Sequence, residues 1–334
     1  MRQTRSGIYE FIFGAPRAER QDLLRFWTML GFSPADEGSL AATDAAAAYG
    51  HAEGLTSIRL QHSGCHMFGT GYVRLQLWDE LRNDGLGNAT PVVPGSRWMG
   101  LYTHDILQIR DSFASEQARH DWSLWMSPLV NAPLAKPAPV HDYFEPFVGL
   151  RETLVFGTRF RLAFIQRAGF DRPGFGTFDD SLPFKNTEGS HANIVQPDNR
   201  FAADFYKRAL DFETAPFGEA HDSGDDAATI AALQLRDGEL FRVERTRAVD
   251  CPAGLLQIYS SYMPGEDLRE LSQPGCGNLC AYSVRVHDID ALIAVIDDTE
   301  GATCLGQFTD EFGRPAVTFY APDGYAWIAV ADVE

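Results

Sequence analysis

The sequence predicts an α+β protein of four β-α-β-β-β modules, arranged as two tandem domains. Three observations lead there. First, the 334-residue chain repeats itself at a spacing of roughly 180 positions. GIYEFIFGAP (7–16) aligns with GSHANIVQPD (189–198), putting Tyr9 and His191 182 positions apart. YVRLQLW (72–78) aligns with AGLLQIY (253–259), with Gln76 and Gln257 181 apart, and LYTHDI (101–106) aligns with VRVHDI (284–289), with His104 and His287 183 apart. Self-similarity at a fixed period marks a duplicated structural unit. Second, helical windows carry apolar residues at i, i+3 and i+4 spacing: Leu23, Phe26, Trp27 and Leu30 in one copy, Ala202, Phe205, Tyr206 and Leu210 in the other. Third, the remaining segments are short β-branched and aromatic runs between Gly, Pro and Asp breakers.

The first module opens on the strand GIYEFIF, continues into a helix over 19–30, breaks at Gly31, and closes with short strands ending at YVRLQLW. The second starts at RWMGLYTH (97–104), forms a helix over 106–120 and ends at RLAFIQ. The third runs from HANIV through a helix over 201–210 to strands in ATIAALQL, ELFRVERT and GLLQIYSS. The fourth runs from NLCAYSVRV through a helix over 289–297 to TCLGQF, AVTFY and YAWIAV. Late in each copy the spacing falls to 163, so the first copy carries about 20 extra residues. They fall in SPLVNAPLAKPAPVHDYFEP (127–146), a Pro- and Ala-rich loop of the kind that closes over a cavity as a lid. The expected boundaries are an N-terminal domain at 1–170 (modules about 5–80 and 95–168), a linker at 171–186, and a C-terminal domain at 187–334 (modules about 187–262 and 276–334).

Composition narrows the function classes. No apolar run approaches the roughly 18 residues of a membrane span, and the opening MRQTRSGIYEFIFG has no signal-peptide pattern. The net charge of −18 repels phosphate backbones and anionic lipids, which argues against nucleic-acid and membrane partners. Five loosely spaced cysteines, an odd number, argue against a disulfide framework and for the cytoplasm. Phosphate-binding glycine loops, nucleophile elbows and H-E-x-x-H are absent from the sequence.

The module with His191, Asp198, then Phe205, Tyr206 and Leu210 on its helix, and the closing PDGYAWIAV (322–330), resembles the vicinal oxygen chelate superfamily. That group includes glyoxalases, bleomycin-resistance proteins and extradiol dioxygenases. The resemblance covers nearly the whole chain. It implies that paired modules form a U-shaped mixed sheet around a cavity, with one cavity per domain. Metal sites in the family draw a ligand from the first strand and another from the last strand of a module. The matching first-strand positions are Tyr9, Trp98, His191 and Ala281, and the last-strand positions Gln76, Ile165, Gln257 and Ile328. A divalent iron or zinc ion needs three or four donors within roughly 2.0–2.3 Å. Only His191 and Gln257 offer donors in the second copy, so no cofactor is expected; a bound metal would use those two. The donor-rich HSGCH (62–66), with His62, His66 and the distant His141, is either an unconventional site or a polar hairpin loop.

Strand side chains alternate between faces. With His191 inward, Asn193, Gln257, Tyr259, Ser283 and Arg285 share its cavity; Tyr9, Phe11, Phe13, Arg74, Gln76, Trp78 and Trp98 line the other. His191 is then the proton acceptor, with an ordinary pKa near about 6.5. Arg285 holds a carboxylate or enolate oxygen, and Tyr259 donates to a developing oxyanion. Asn193, Gln257, Ser283, Tyr9, Gln76, Trp78 and Trp98 are the expected substrate-binding residues. The alternative for His191 is a hydrogen-bonded core residue, for Arg285 pairing with a carboxylate such as Asp288 or Asp290 or pointing to solvent, and for the tryptophans plain core. Glu311 in DEFGRP (310–315) is a proton acceptor at a cavity mouth or a solvated turn. The expected function is proton-transfer catalysis, of lyase or isomerase type, on a small, oxygen-bearing substrate, aromatic or not, without the usual metal. The alternatives are a non-catalytic binding protein of bleomycin-resistance type and a metal-dependent glyoxalase or dioxygenase. A monomer or a homodimer suits either.

Overall fold

The computed structural model describes residues 4, 6–65, 69–120, 123–133, 147–170, 176–197, 202–215, 219–251 and 253–332. His66, Trp122, His141, Asp198 and Phe201, with 134–146 of the proposed lid and 171–175 of the expected linker, lie outside these residues.

Module 1 comprises β1 (Glu10–Pro16), α1 (Arg20–Met29), β2 (Phe32–Leu40), α2 (Ala42–Tyr49), β3 (Leu55–His62) and β4 (Tyr72–Trp78). Module 2 comprises β5 (Arg97–Tyr102), α3 (Ile106–His120), β6 (Leu124–Met126), β7 (Val130–Pro133), β8 (Gly149–Gly157) and β9 (Phe160–Ala168). Module 3 has β10 (His191–Gln196), α4 (Ala202–Leu210), β11 (Phe212–Thr214), β12 (His221–Ser223), α5 (Ala227–Leu233), β13 (Phe241–Ala248) and β14 (Leu255–Ser261). Module 4 has β15 (Asn278–Val286), α6 (Ile289–Asp297), β16 (Thr303–Thr309), β17 (Pro315–Tyr320) and β18 (Ala326–Ala331). In each module the first strand runs parallel to the last. None of the described helices is long and apolar enough to cross a membrane.

The ATIAALQL segment is helix α5 rather than a strand. Its alanines favour helix over sheet, and the Asp226 side chain caps the first turn by accepting from the Thr229 amide at 2.8 Å.

The modules pair crosswise. β1 lies antiparallel to β15, with Glu10 opposite Ser283 and Ile12 opposite Ala281. This joins modules 1 and 4 into sheet I, of order β16-β17-β18-β15-β1-β4-β3-β2. β5 lies antiparallel to β10, with Gly100 opposite His191 and Trp98 opposite Asn193. This joins modules 2 and 3 into sheet II, of order β11-β13-β14-β10-β5-β9-β8-β6, with β12 on β13 and β7 on β8. Neighbouring modules within one half therefore do not share a sheet. Every module presents the same open first-strand edge, and such an edge must be paired or covered; the repeat does not say which other first strand takes it.

One face of each sheet packs, together with α1, α3, α4 and α6, into a shared apolar core. Phe26 of α1 stacks on Phe160 of β9 at a centroid distance of 4.2 Å, tying module 1 to module 2. Phe11 and Phe13, expected inward, belong to this core, while Ile12 faces the other way. A one-residue change of phase turns every side chain of a strand to the opposite face, and here it brings Glu10 onto the concave side.

Candidate functional site

The concave faces form two grooves. Groove I, on sheet I, is packed with charge. Glu10 is fully buried; its carboxylate receives Arg74 Nη2 at 2.5 Å and the Ser283 hydroxyl at 2.6 Å, with Arg59 Nε at 3.2 Å. Burial alone would raise its pKa, yet Arg74, Arg314, Arg59 and the Ser283 hydroxyl hold it at about 2. The turn between β16 and β17 descends into the groove. Its Glu311 is buried against Ser57 and Tyr49, and the Phe312 ring sits under Arg59 and Arg74 at 4.5 and 5.0 Å. β2 accommodates the turn because residue 38 is glycine: a Cβ there would lie 1.7 Å from the Glu311 carbonyl oxygen. Glu311 is thus neither a solvated turn nor an open cavity-mouth base. Groove I is a filled, charge-compensated core.

Groove II, on sheet II, holds a cavity of about 140 Å³. Trp98, Tyr259, Leu154 and Phe241 give it an apolar lining, α5 supplies Thr229, Ala232 and Leu233, and Ser127, His221 and Ser223 add polar groups. Glu152 of β8 and Arg245 of β13 face the same space. Among the described residues the two make no direct ion pair. Burial pushes the Glu152 carboxyl up to about 7, against the opposing pull of Arg245. Arg245 donates Nε to the Gln257 side-chain oxygen at 3.1 Å, and the Tyr259 hydroxyl donates to that oxygen at 3.4 Å. Burial and then Glu152 push the Tyr259 hydroxyl up, so it stays a proton donor.

His191 is buried on the same face of sheet II, outside the cavity lining, 2% exposed, with Nδ1 at 2.8 Å from the Ser190 hydroxyl. Its ring occupies the space over Gly100, where a Cβ would lie 1.9 Å from Cε1. Burial first, then Arg245 and Arg167, hold its pKa down to about 3. Desolvation thus keeps this ring neutral, below the ordinary imidazole value.

The crosswise sheets redistribute the residues expected to act together. His191, Asn193, Gln257, Tyr259 and Trp98 meet on sheet II. Ser283 and Arg285, expected beside them, stand on sheet I with Tyr9, Gln76 and Trp78. Arg285 pairs with a carboxylate, Asp332 at 3.8 Å, and lies 5.3 Å from the Tyr9 ring centroid. Trp78 packs edge-on to Tyr49 and His51 inside groove I, while Trp98 and Tyr259 adjoin at 5.3 Å in groove II. Glu152, Arg245 and Glu10 escaped the sequence reading. Glu152 and Arg245 had a signal: each interrupts an inward apolar phase, Leu154 and Phe156 on β8, Phe241 and Val243 on β13. Glu10 was hidden by the phase of β1.

The donors do not suit the family's divalent ion. Among the described residues no three His, Cys, Asp or Glu side chains are grouped to hold a metal. In groove I the Arg74 guanidinium already neutralises Glu10. In groove II His191 stands near two arginines, and the Gln257 oxygen is engaged by Arg245 and Tyr259.

No protein-family model matches the sequence, and no curated protein does. Solved structures share its architecture. Glyoxalase I from Zea mays superposes with a TM-score of 0.57 at 12% identity, covering 98% of this chain and 92% of its own. A proposed dioxygenase from Bacillus subtilis gives 0.57 at 12% identity, covering 100% of this chain and 87% of its own. At that identity the likeness is one of fold. The chain has the vicinal oxygen chelate fold in its tandem, four-module form.

Proposed function

We propose that this protein is an enzyme that moves a proton on a small, oxygen-bearing molecule in groove II, without a metal ion. The observation that carries this reading is the placement of Glu152 and Arg245 on one cavity without a direct bond between them. A carboxyl held at about 7 is divided between acid and base at neutral pH, the condition that favours general acid–base catalysis. Glu152 takes a proton from the atom next to a substrate carbonyl and returns it at another, so no electrons are gained or lost. Arg245 holds the oxygen that becomes negative as the proton leaves. Trp98 and Tyr259 face the apolar body of the substrate. The role expected of His191 passes to Glu152, because an imidazole held at about 3 is too weak a base at neutral pH. At about 140 Å³ the cavity falls below the roughly 300–1,000 Å³ of pockets for drug-sized ligands, so the substrate is small.

The test is isotope exchange. A panel of small carbonyl compounds is incubated with the protein in D₂O, and loss of the C–H signal is followed by proton NMR. Wild type should exchange at least one compound, with a rate that rises with pH and levels off above about 7 as Glu152 ionises. Glu152→Gln should slow exchange by roughly 10²–10⁴ with the fold intact. A compound that binds without exchanging would identify a binding protein of the bleomycin-resistance kind. Near-stoichiometric iron, zinc, nickel or manganese in purified protein, with activity lost to chelator, would overturn the metal-free reading.

A further inference from the structure

The two grooves are built from equivalent parts, and one of them is occupied by the protein itself. In groove I the Glu311 carboxylate receives Ser57 Oγ at 2.7 Å, the Tyr49 hydroxyl at 2.8 Å, and Gln76 Nε2 and Arg74 Nη1 at 3.4 Å each. Ser57 and Gln76 face each other across β3 and β4. The equivalent strands of module 3 are β13 and β14, and there Arg245 faces Gln257. Gln76 and Gln257 are themselves repeat partners, 181 positions apart. A short helix closes each groove just before the equivalent strand, α2 before β3 and α5 before β13: α2 bears Tyr49 in groove I, and α5 bears Leu233 in groove II. In groove I that position holds a carboxylate. In groove II Arg245 lines the cavity, with Gln257 bonded to its Nε from outside the lining.

We infer that the ligand of groove II carries a carboxylate, held by Arg245, which Gln257 positions, where Ser57 and Gln76 hold Glu311. This rests on groove II being the ligand site. The cation has changed strand, from Arg74 on β4 in one groove to Arg245 on β13 in the other, and a guanidinium fork suits a carboxylate. The cavity approaches the roughly 150 Å³ of an apolar cavity that admits benzene, so the body behind the carboxylate is about one ring in size.

The experiment titrates the full-length protein with benzoate and propionate, and with benzamide and propionamide as neutral counterparts. Binding is followed by nitrogen–proton NMR at the Arg245 Nε–H and along β13 and β14. The acids should shift these signals and bind roughly tenfold or more tightly than the amides. Arg245→Gln and Gln257→Leu should each remove roughly tenfold of that affinity, and Arg245→Lys, which keeps the charge but loses the fork, should fall between. Acids that bind no better than amides, or that ignore Arg245→Gln, would overturn the inference. A second, independent measurement uses groove I: Glu311→Gly empties the cradle, and acetate or formate should raise the melting temperature of that variant more than that of wild type. Absence of such rescue would remove the analogy between the grooves. Carboxylate binding with no proton exchange on any compound would sink the proton-transfer reading alone. Glu152-dependent exchange on neutral compounds, with no carboxylate binding, would sink this inference alone.

Discussion

Glu10 and Glu152 are both carboxyls on a concave sheet face, and their surroundings send them in opposite directions. Burial raises both, but three arginines hold Glu10 at about 2, whereas Arg245 alone leaves Glu152 at about 7. The consequences for stability have opposite signs. Glu10, depressed below the ordinary value of about 4.3, contributes stability that is fully present above that value and lost as pH falls toward about 2. Glu10→Gln should therefore flatten acid unfolding between about pH 4.3 and 2, and cost about 3–5 kcal/mol at neutral pH by leaving Arg74 with a broken buried pair. Circular dichroism against pH for the two proteins checks both. Glu152, raised instead, favours the fold below about pH 4.3 and loses that contribution as pH climbs through about 7. Glu152→Gln should thus be relatively more stable at pH 8 than at pH 4. Gly100 makes a third case: Gly100→Ala places a methyl against the His191 ring and should cost about 1–3 kcal/mol, a penalty that His191→Ala in the same chain relieves. At this scale the sequence was legible in composition but not in phase. Phe11 and Ile12 are neighbours on β1, and nothing local to YEFIFG says which of them turns toward the groove.

Helix α5 closes groove II, and its start is set by Asp226. Asp226→Ala should lose about 1 kcal/mol through the cap. It should also weaken carboxylate binding, since Thr229, Ala232 and Leu233 line the cavity; a variant that melts earlier but binds unchanged would separate the cap from the wall. The element boundaries read from periodicity hold for α1, α3, α4 and α6 because each buries an apolar stripe. ATIAALQL misled because a short apolar run cannot be told apart as helix or strand by periodicity alone. The turn at 310–315 was legible as a turn, but not as a plug, since its seat on Gly38 lies far away in sequence.

For the whole molecule, the four modules were visible as a repeat, while their pairing was not. The choice of partner for each first strand depends on how the shared core packs α1 against β9 and Tyr206 of α4 against Trp327 of β18, contacts between residues far apart in sequence. Crosswise pairing predicts that 1–170 and 187–334, produced separately, each expose two unpaired first strands, β1 with β5 and β10 with β15. Each half alone should be aggregation-prone. Mixed or co-expressed, they should assemble into a one-to-one complex with native melting behaviour. Two halves that are each folded and monomeric would contradict the pairing.

The same pairing bears on descent. Had neighbouring modules paired, each copy of an ancient duplication would own one groove and could have drifted alone. Here each groove inherits one wall from each copy, so a substitution early in the chain and another late in it meet in the same chamber. The specialisation that packed one groove and left the other open was therefore a joint history of both copies, and redesign of either chamber must draw on both.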